Sequence, residues 1–121
     1  MITKYFIGVI IICLISIIGG IINAQYINDG YHWGFIFSHS IDLLKGKEPF
    51  AEIFLEYGFL QVLINFMLIK IFGENVFIIQ VFIIIIYSIS LFLIYKIIFQ
   101  LTNNEKLSFL SVLIIFVLYP W

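Results

Sequence analysis

Asp29 is the carboxylate best placed for chemistry, because it follows a long apolar segment after only a few polar residues. A carboxylate at that position can accept a proton from an acceptor hydroxyl or coordinate a divalent cation. It can equally cap the helix predicted to follow it, since Asp is a favoured N-cap residue. Both roles stay open: catalytic group or cation ligand, and helix cap.

Two histidines and a pair of glutamates accompany Asp29 in the same segment. His32 lies three residues on and thus on the same helical face, where it could orient Asp29 or contact a phosphate. His39 lies about 10 Å farther along the predicted helix, too far to share a metal ion with His32. We therefore expect no zinc site, and Asp29 is the ligand if a divalent cation binds. Glu52 and Glu56 form a like-charged i, i+4 pair that is solvated or has a minor part in cation binding.

A stripe of polar residues marks the second hydrophobic run. Tyr57, Gln61 and Asn65 are spaced at i, i+4 and share one helical face. That face should meet other helices or a water-filled cavity, and not lipid. The stripe either makes hydrogen bonds between helices or lines a substrate pocket, with Tyr57 and Gln61 as candidate binding residues.

Composition assigns these residues to a membrane environment. The chain has 121 residues, of which 64% are hydrophobic and 11% charged, whereas a soluble domain is about half apolar and about a quarter charged. A chain this short cannot bury that much apolar surface within itself, so a lipid bilayer is the predicted partner. The formal net charge of -1 and the lack of a Lys/Arg cluster argue against nucleic acid. Cys13 is alone and forms no intrachain disulfide.

The hydrophobic runs predict an all-α, polytopic transmembrane protein with about four membrane helices. The first run could also be a secretory signal peptide, but it is longer than the usual apolar region of one. The final run stops without a polar flank, which predicts a natural reading frame that is cut short. The whole chain, 1–121, is treated as one module. The predicted spans are about 5–22, 57–72, 76–96 and 107–121, with an outer loop at 23–56.

The outer loop should contain an amphipathic helix that lies along the membrane surface. Asn28 or Asp29 would begin it and Gly46 would end it. The apolar face is formed by Trp33, Ile36, Phe37, Ser40, Ile41 and Leu44, and the polar side by His32, His39, Asp42 and Lys45.

Charge distribution predicts a cytoplasmic amino terminus. Lys4 precedes the first span, and the acidic loop after it lacks the Lys/Arg excess of a cytoplasmic loop. With four single crossings, Lys70 would fall inside, whereas Lys96 and Lys106 would fall outside.

The segment from Asp29 to Asn75 resembles the amino-terminal part of GT-C superfamily glycosyltransferases. The resemblance rests on Asp29 directly after the first membrane helix, on LLKGKEPFAEIFLEYGFL with its Gly46, Pro49 and Phe50 pattern, and on the IFGEN turn. These polytopic enzymes, including protein mannosyltransferase and aminoarabinose transferase types, take a sugar from a polyprenyl-phosphate carrier. The resemblance implies a catalytic acidic residue at Asp29, a divalent cation as a possible cofactor, and a bacterial cytoplasmic (inner) membrane location. Gly30, where many relatives have a second acidic residue, departs from the pattern.

Three functions are carried forward from the sequence. The first is the amino-terminal part of a membrane glycosyltransferase, inactive as this fragment, with a polyprenyl-phosphate-linked sugar and an extracytoplasmic acceptor as substrates. The second is a small non-enzymatic membrane protein that associates with other membrane helices through two faces, one with Ser16 and Gly20 and the other with the polar stripe. The third is a fragment of a transporter or polysaccharide polymerase.

Overall fold

The computed structural model describes residues 3–26, 32–53 and 58–118, without the side chains of His32 and Trp33. Within these residues the chain forms five α-helices and no β-strand, so the predicted all-α class is confirmed. The helices are α1 (Lys4–Tyr26), α2 (His32–Leu44), α3 (Phe59–Phe72), α4 (Val76–Thr102) and α5 (Glu105–Leu118).

Two of the five helices are long and apolar enough to cross a membrane. Helices α1 and α4 have 23 and 27 residues, which correspond to about 35 Å and about 40 Å at the α-helical rise. Helices α3 and α5 have 14 residues each, or about 21 Å, which is short of the hydrocarbon thickness. Of the four predicted membrane spans, two are therefore confirmed within the described residues as helices long and apolar enough to cross a membrane.

Short polar turns end the helices where the sequence predicted. Gly73, at φ 97°, follows α3, and its N–H donates to a carbonyl of the last helical turn. The side chain of Asn75 accepts the N–H of Phe77 at 2.9 Å and so caps the start of α4. Asn104 does the same for α5 by accepting the N–H of Leu107 at 3.1 Å.

The chain divides into two compact units. Unit 1 contains residues 1–23 and 82–121, and unit 2 contains residues 24–81. Unit 1 is therefore built from most of α1 and α4 together with α5, and unit 2 from α2, α3 and the adjoining helix ends.

Helices α1 and α4 run antiparallel in unit 1. Near the start of α1, the ring of Phe6 contacts the ring of Phe92 with centroids 6.0 Å apart. Near the other end, Gly20 lies directly against the side chain of Ile84. Residues later in α1 therefore contact residues earlier in α4, as in an antiparallel pair.

A small apolar core joins the three helices of unit 1. Its buried members are Val9 and Ile12 of α1, Leu91 and Tyr95 of α4, and Val112 of α5. On α1 the residues turned toward the neighbouring helices include small ones, Ser16 and Gly20, both buried. Small residues let helix backbones approach closely. Large side chains cover the outside of α1: Ile7, Ile11, Leu14, Ile15, Ile18 and Ile22 are all exposed.

Four hydroxyl groups in unit 1 are hydrogen-bonded within their own helices, whereas the buried hydroxyls of Ser16 and Ser88 have no hydrogen-bond partner among the described residues. Ser90, Thr102, Ser108 and Ser111 each donate to the carbonyl oxygen four residues earlier, at 2.7 to 3.0 Å. Such bonds need no water and are compatible with a surrounding lipid phase.

Candidate functional site

Only part of the predicted site lies within the described residues. Asp29 and Tyr57 lie outside the described residues. His32 is the first residue of α2, but its side chain is not described. Gln61 lies in the first turn of α3 and is half-buried. The side-chain geometry among the four predicted site residues is therefore defined only for Gln61.

Helix α2, predicted from the sequence as a surface helix, is present and packs against α3. The Ser40 hydroxyl is buried between the two helices. It lies 3.1 Å from the carbonyl oxygen of Ile36 in α2 and 3.5 Å from the carbonyl oxygen of Val62 in α3. The end of α2 is thus fixed beside the beginning of α3.

His39 corrects one part of the sequence analysis. It was predicted on the polar side of α2, but it is 9% exposed. Its ring meets the ring of Phe35, one helical turn earlier, edge to face, with centroids 4.2 Å apart. Because α3 covers α2 around Ser40, the buried part of α2 is wider than the predicted apolar stripe. The i, i+4 spacing of Phe35 and His39 was the available signal.

A compact turn follows α2 and contains the first part of the Gly46, Pro49 and Phe50 pattern. Gly46 has φ 84°, which favours glycine, and it ends the helix as predicted. The N–H of Lys47 donates to the carbonyl oxygen of Asp42 at 3.1 Å. The Lys47 ammonium also lies 2.8 Å from the Asp42 carboxylate. Asp42 is therefore occupied in holding the turn.

The second part of the turn uses the Glu52 carboxylate. It accepts the backbone N–H of Glu48 at 2.8 Å, while the N–H of Glu52 donates to the Glu48 carbonyl oxygen at 2.9 Å. Phe50 has φ 67°, is exposed, and its ring lies 5.9 Å from that of Phe59 in α3. Glu52 thus has a structural role in this turn, and Glu56 lies outside the described residues.

The polar stripe on α3 is buried at Asn65. Asn65 is 3% exposed, and its Nδ2 amide nitrogen has no hydrogen-bond partner among the described residues. Leaving such a donor unsatisfied costs about 1–3 kcal/mol. The sequence predicted the position of Asn65 on the stripe, but not that this nitrogen would be unpaired.

The described residues contain no group of three or more His, Cys, Asp or Glu side chains that could hold a metal ion. Asp42 and Glu52 are both engaged in the turn after α2.

Comparison with protein-family models, with curated proteins and with solved structures gives no match. The class that the fold defines is an all-α chain with two helices of membrane-spanning length and apolarity.

Proposed function

We propose that the chain is an integral membrane protein in which α1 and α4 cross the bilayer. The length of both helices and the isoleucine and leucine side chains exposed along them support this proposal, as do the hydrogen bonds that the Ser90 and Thr102 hydroxyls make within α4. The protein should stay in the membrane fraction after extraction with alkaline carbonate. Its release into the supernatant would contradict membrane insertion.

We further propose that the chain forms the amino-terminal part of a GT-C-like glycosyltransferase in the bacterial cytoplasmic membrane. The observation that carries the proposal is the position of Asp29, three residues beyond the end of α1 at Tyr26. A polyprenyl-phosphate carrier keeps its chain in the bilayer and its phosphate at the surface, the level at which α1 ends. Asp29 and the phosphate-linked sugar would therefore meet at the outer surface.

The proposed reaction is an inverting sugar transfer. The acceptor hydroxyl oxygen attacks the anomeric carbon, and the bond from that carbon to the phosphate oxygen breaks with its electron pair on the polyprenyl phosphate. Asp29 accepts the hydroxyl proton, or holds a divalent cation that neutralises the leaving phosphate. His32 would contact the phosphate, and Tyr57 and Gln61 would contribute to substrate binding.

The decisive variant is Asp29→Asn, made in the complete reading frame that contains this chain. Asn caps a helix about as well as Asp, so insertion and abundance should be unchanged. Asn cannot act as a base and is a much weaker cation ligand, so transfer from a polyprenyl-phosphate-linked sugar should be lost. Near-normal transfer by Asp29→Asn would leave Asp29 as a helix cap only.

Asp42→Asn is the matched control. It removes a carboxylate from the same segment and breaks the salt bridge with Lys47, whose two side chains are 27% and 44% exposed. A salt bridge this exposed contributes at most about 1 kcal/mol. Transfer should therefore persist in this variant. The 121-residue chain alone should show no transfer, because it lacks the helices needed to position donor and acceptor together.

The alternative function is a small protein that associates with other helices. One of its two predicted contact faces, with Ser16 and Gly20, is not exposed. Ser16 and Gly20 are buried inside unit 1, where Gly20 meets Ile84. Association of two chains through this face would first require α1 to separate from α4.

A further inference from the structure

The start of α1 and the end of α4 bring two lysines together that are far apart in the sequence. The Lys96 ammonium lies over two aromatic rings, 5.9 Å from the centroid of Phe6 and 5.8 Å from that of Phe92. Phe6 is two residues from Lys4. Lys4 and Lys96 are both exposed and lie at the same end of unit 1.

The start of α5 adds a third lysine to this end. The ring of Tyr5 lies 6.0 Å from the ring of Phe109, the fifth residue of α5, so the amino-terminal half of α5 lies beside the start of α1. The Lys4 ammonium lies 5.3 Å from the centroid of the Tyr5 ring. Lys106 is exposed in the first turn of α5, next to Glu105. We call Lys4, Lys96 and Lys106 the basic end of unit 1.

The charge of the basic end is not neutralised within the described residues. No carboxylate there forms a salt bridge with any of its three lysines; the salt bridge that the structure describes joins Lys47 and Asp42 in unit 2. Three lysines and Glu105 give a formal charge of +3 − 1 = +2. Residues 24–81 contain three lysines and six acidic residues, or 3 − 6 = −3, and the two sums give the net charge of -1.

The chain leaves and re-enters unit 1 at the end opposite the lysines. It leaves after Asn23 and returns at Phe82. Close to these two points, Gly20 contacts Ile84. If α1 and α4 cross a membrane, residues 24–81 begin and end on the same side of it.

We propose that the basic end lies at the cytoplasmic surface of the membrane and binds anionic phospholipid headgroups, while residues 24–81 begin and end on the outer surface. This inference rests on the proposed crossing of the membrane by α1 and α4. Lysines enriched on one side mark the cytoplasmic side, and Tyr rings such as that of Tyr5 are typical of the interface. A lysine ammonium above a ring keeps its charge available to a phosphate at the surface.

The proposal replaces the order of four single crossings expected from the sequence. That order makes the two long helices parallel and places Lys96 and Lys106 outside. Because α1 and α4 are antiparallel, both lysines lie on the side of Lys4, and α3 is not a single crossing between them. The segment that contains Asp29 still begins on the outer side, as the proposed glycosyltransferase requires.

Cysteine labelling tests the sidedness. In a Cys13→Ala background, Thr102→Cys at the last residue of α4 and Glu74→Cys in the turn before α4 each introduce one exposed thiol. In intact cells, a membrane-impermeant maleimide should label Glu74→Cys but not Thr102→Cys, and inverted membrane vesicles should give the reverse. The order of four single crossings predicts the opposite pattern, and observing it would overturn the proposal.

Phospholipid selectivity tests the headgroup binding. The protein is equilibrated with mixed micelles of phosphatidylcholine and phosphatidylglycerol, and the ratio of the two lipids that copurify is measured. Each lysine at an anionic surface contributes about a factor of five, so changing all three to Gln should reduce the phosphatidylglycerol preference about tenfold or more. The matched control changes Lys45, Lys47 and Lys70 to Gln and should retain the preference.

The outcomes separate this inference from the proposal beneath it. Release of the protein by alkaline carbonate would refute membrane insertion. Retention in the membrane with the opposite labelling would refute only the sidedness. Correct labelling with equal lipid ratios in both triple variants would refute only the binding of anionic headgroups.

Discussion

Gly20→Ala should weaken the contact between α1 and α4. Gly20 is buried, and an added Cβ would lie 2.9 Å from Cγ1 of Ile84 and 3.0 Å from both Cδ1 and Cγ2. Ile84 is β-branched and 9% exposed, so it has little freedom to move away. The methyl group must force Ile84 from its rotamer or move the helices apart.

Two opposing free-energy terms set the size of the effect. Overpacking of this kind costs about 1–3 kcal/mol, whereas replacing Gly by Ala inside a helix contributes about 0.5–1 kcal/mol of stability. The net change for Gly20→Ala is a destabilisation of up to about 2.5 kcal/mol. Gly34→Ala in α2 is the matched control, because nothing lies within 4 Å of its added Cβ. It should only stabilise, by about 0.5–1 kcal/mol.

The assay is unfolding in mixed micelles with increasing sodium dodecyl sulfate, followed by circular dichroism. Four proteins are compared: wild type, Gly20→Ala, Ile84→Ala and the double variant. Ile84→Ala removes the atoms that the new methyl group would meet. The free energy of unfolding of the double variant should therefore exceed, by at least about 1 kcal/mol, the value obtained by adding the effects of the two single changes. Additivity within about 0.5 kcal/mol would refute the reasoning.

Three further predictions concern unit 2. Gly46→Ala should lower stability by about 1–2 kcal/mol, because Ala must adopt φ 84°; thermal unfolding that matches Gly34→Ala would contradict this. Asn65→Leu should be neutral or stabilise by up to about 2 kcal/mol, since it removes an unpaired buried donor; a loss of stability in the same assay would indicate a partner for Nδ2. Lys47→Met should cost at most about 1 kcal/mol, and less at high salt; an unchanged cost at high salt would argue against a solvent-screened pair with Asp42.

Helix positions were predictable because apolar runs and turn residues determine them locally. The run of isoleucines in α1 and the Gly73 and Asn104 turns gave boundaries within a few residues of those observed. The extra length of α1, which ends at Tyr26, reflects continued helical hydrogen bonding beyond the apolar run. Such extension is common where a helix end meets no strong stop signal.

The direction of α1 relative to α4 was not predictable from these local signals. It depends on contacts such as Gly20 with Ile84 and Phe6 with Phe92, which join residues far apart in the chain. Hydropathy counts potential crossings but does not determine which helices are neighbours. The burial of His39 was not predicted either, although its i, i+4 spacing from Phe35 within α2 was a local signal for it.

The histidines and acidic residues are distributed unevenly between the two units. Both histidines and six of the seven acidic residues lie in residues 24–81. In unit 1, the four hydroxyls described above donate to their own helices, and the lysines occupy one end. Glu105 is the one acidic residue in the sequence of unit 1, so most of the possible general bases and oxygen ligands belong to residues 24–81. Among the described residues there, the carboxylates of Asp42 and Glu52 are committed to the turn after α2. Glu48 and Glu74 are also described and exposed, but neither follows α1. Asp29 is the first carboxylate to substitute because of its place after α1 in the sequence.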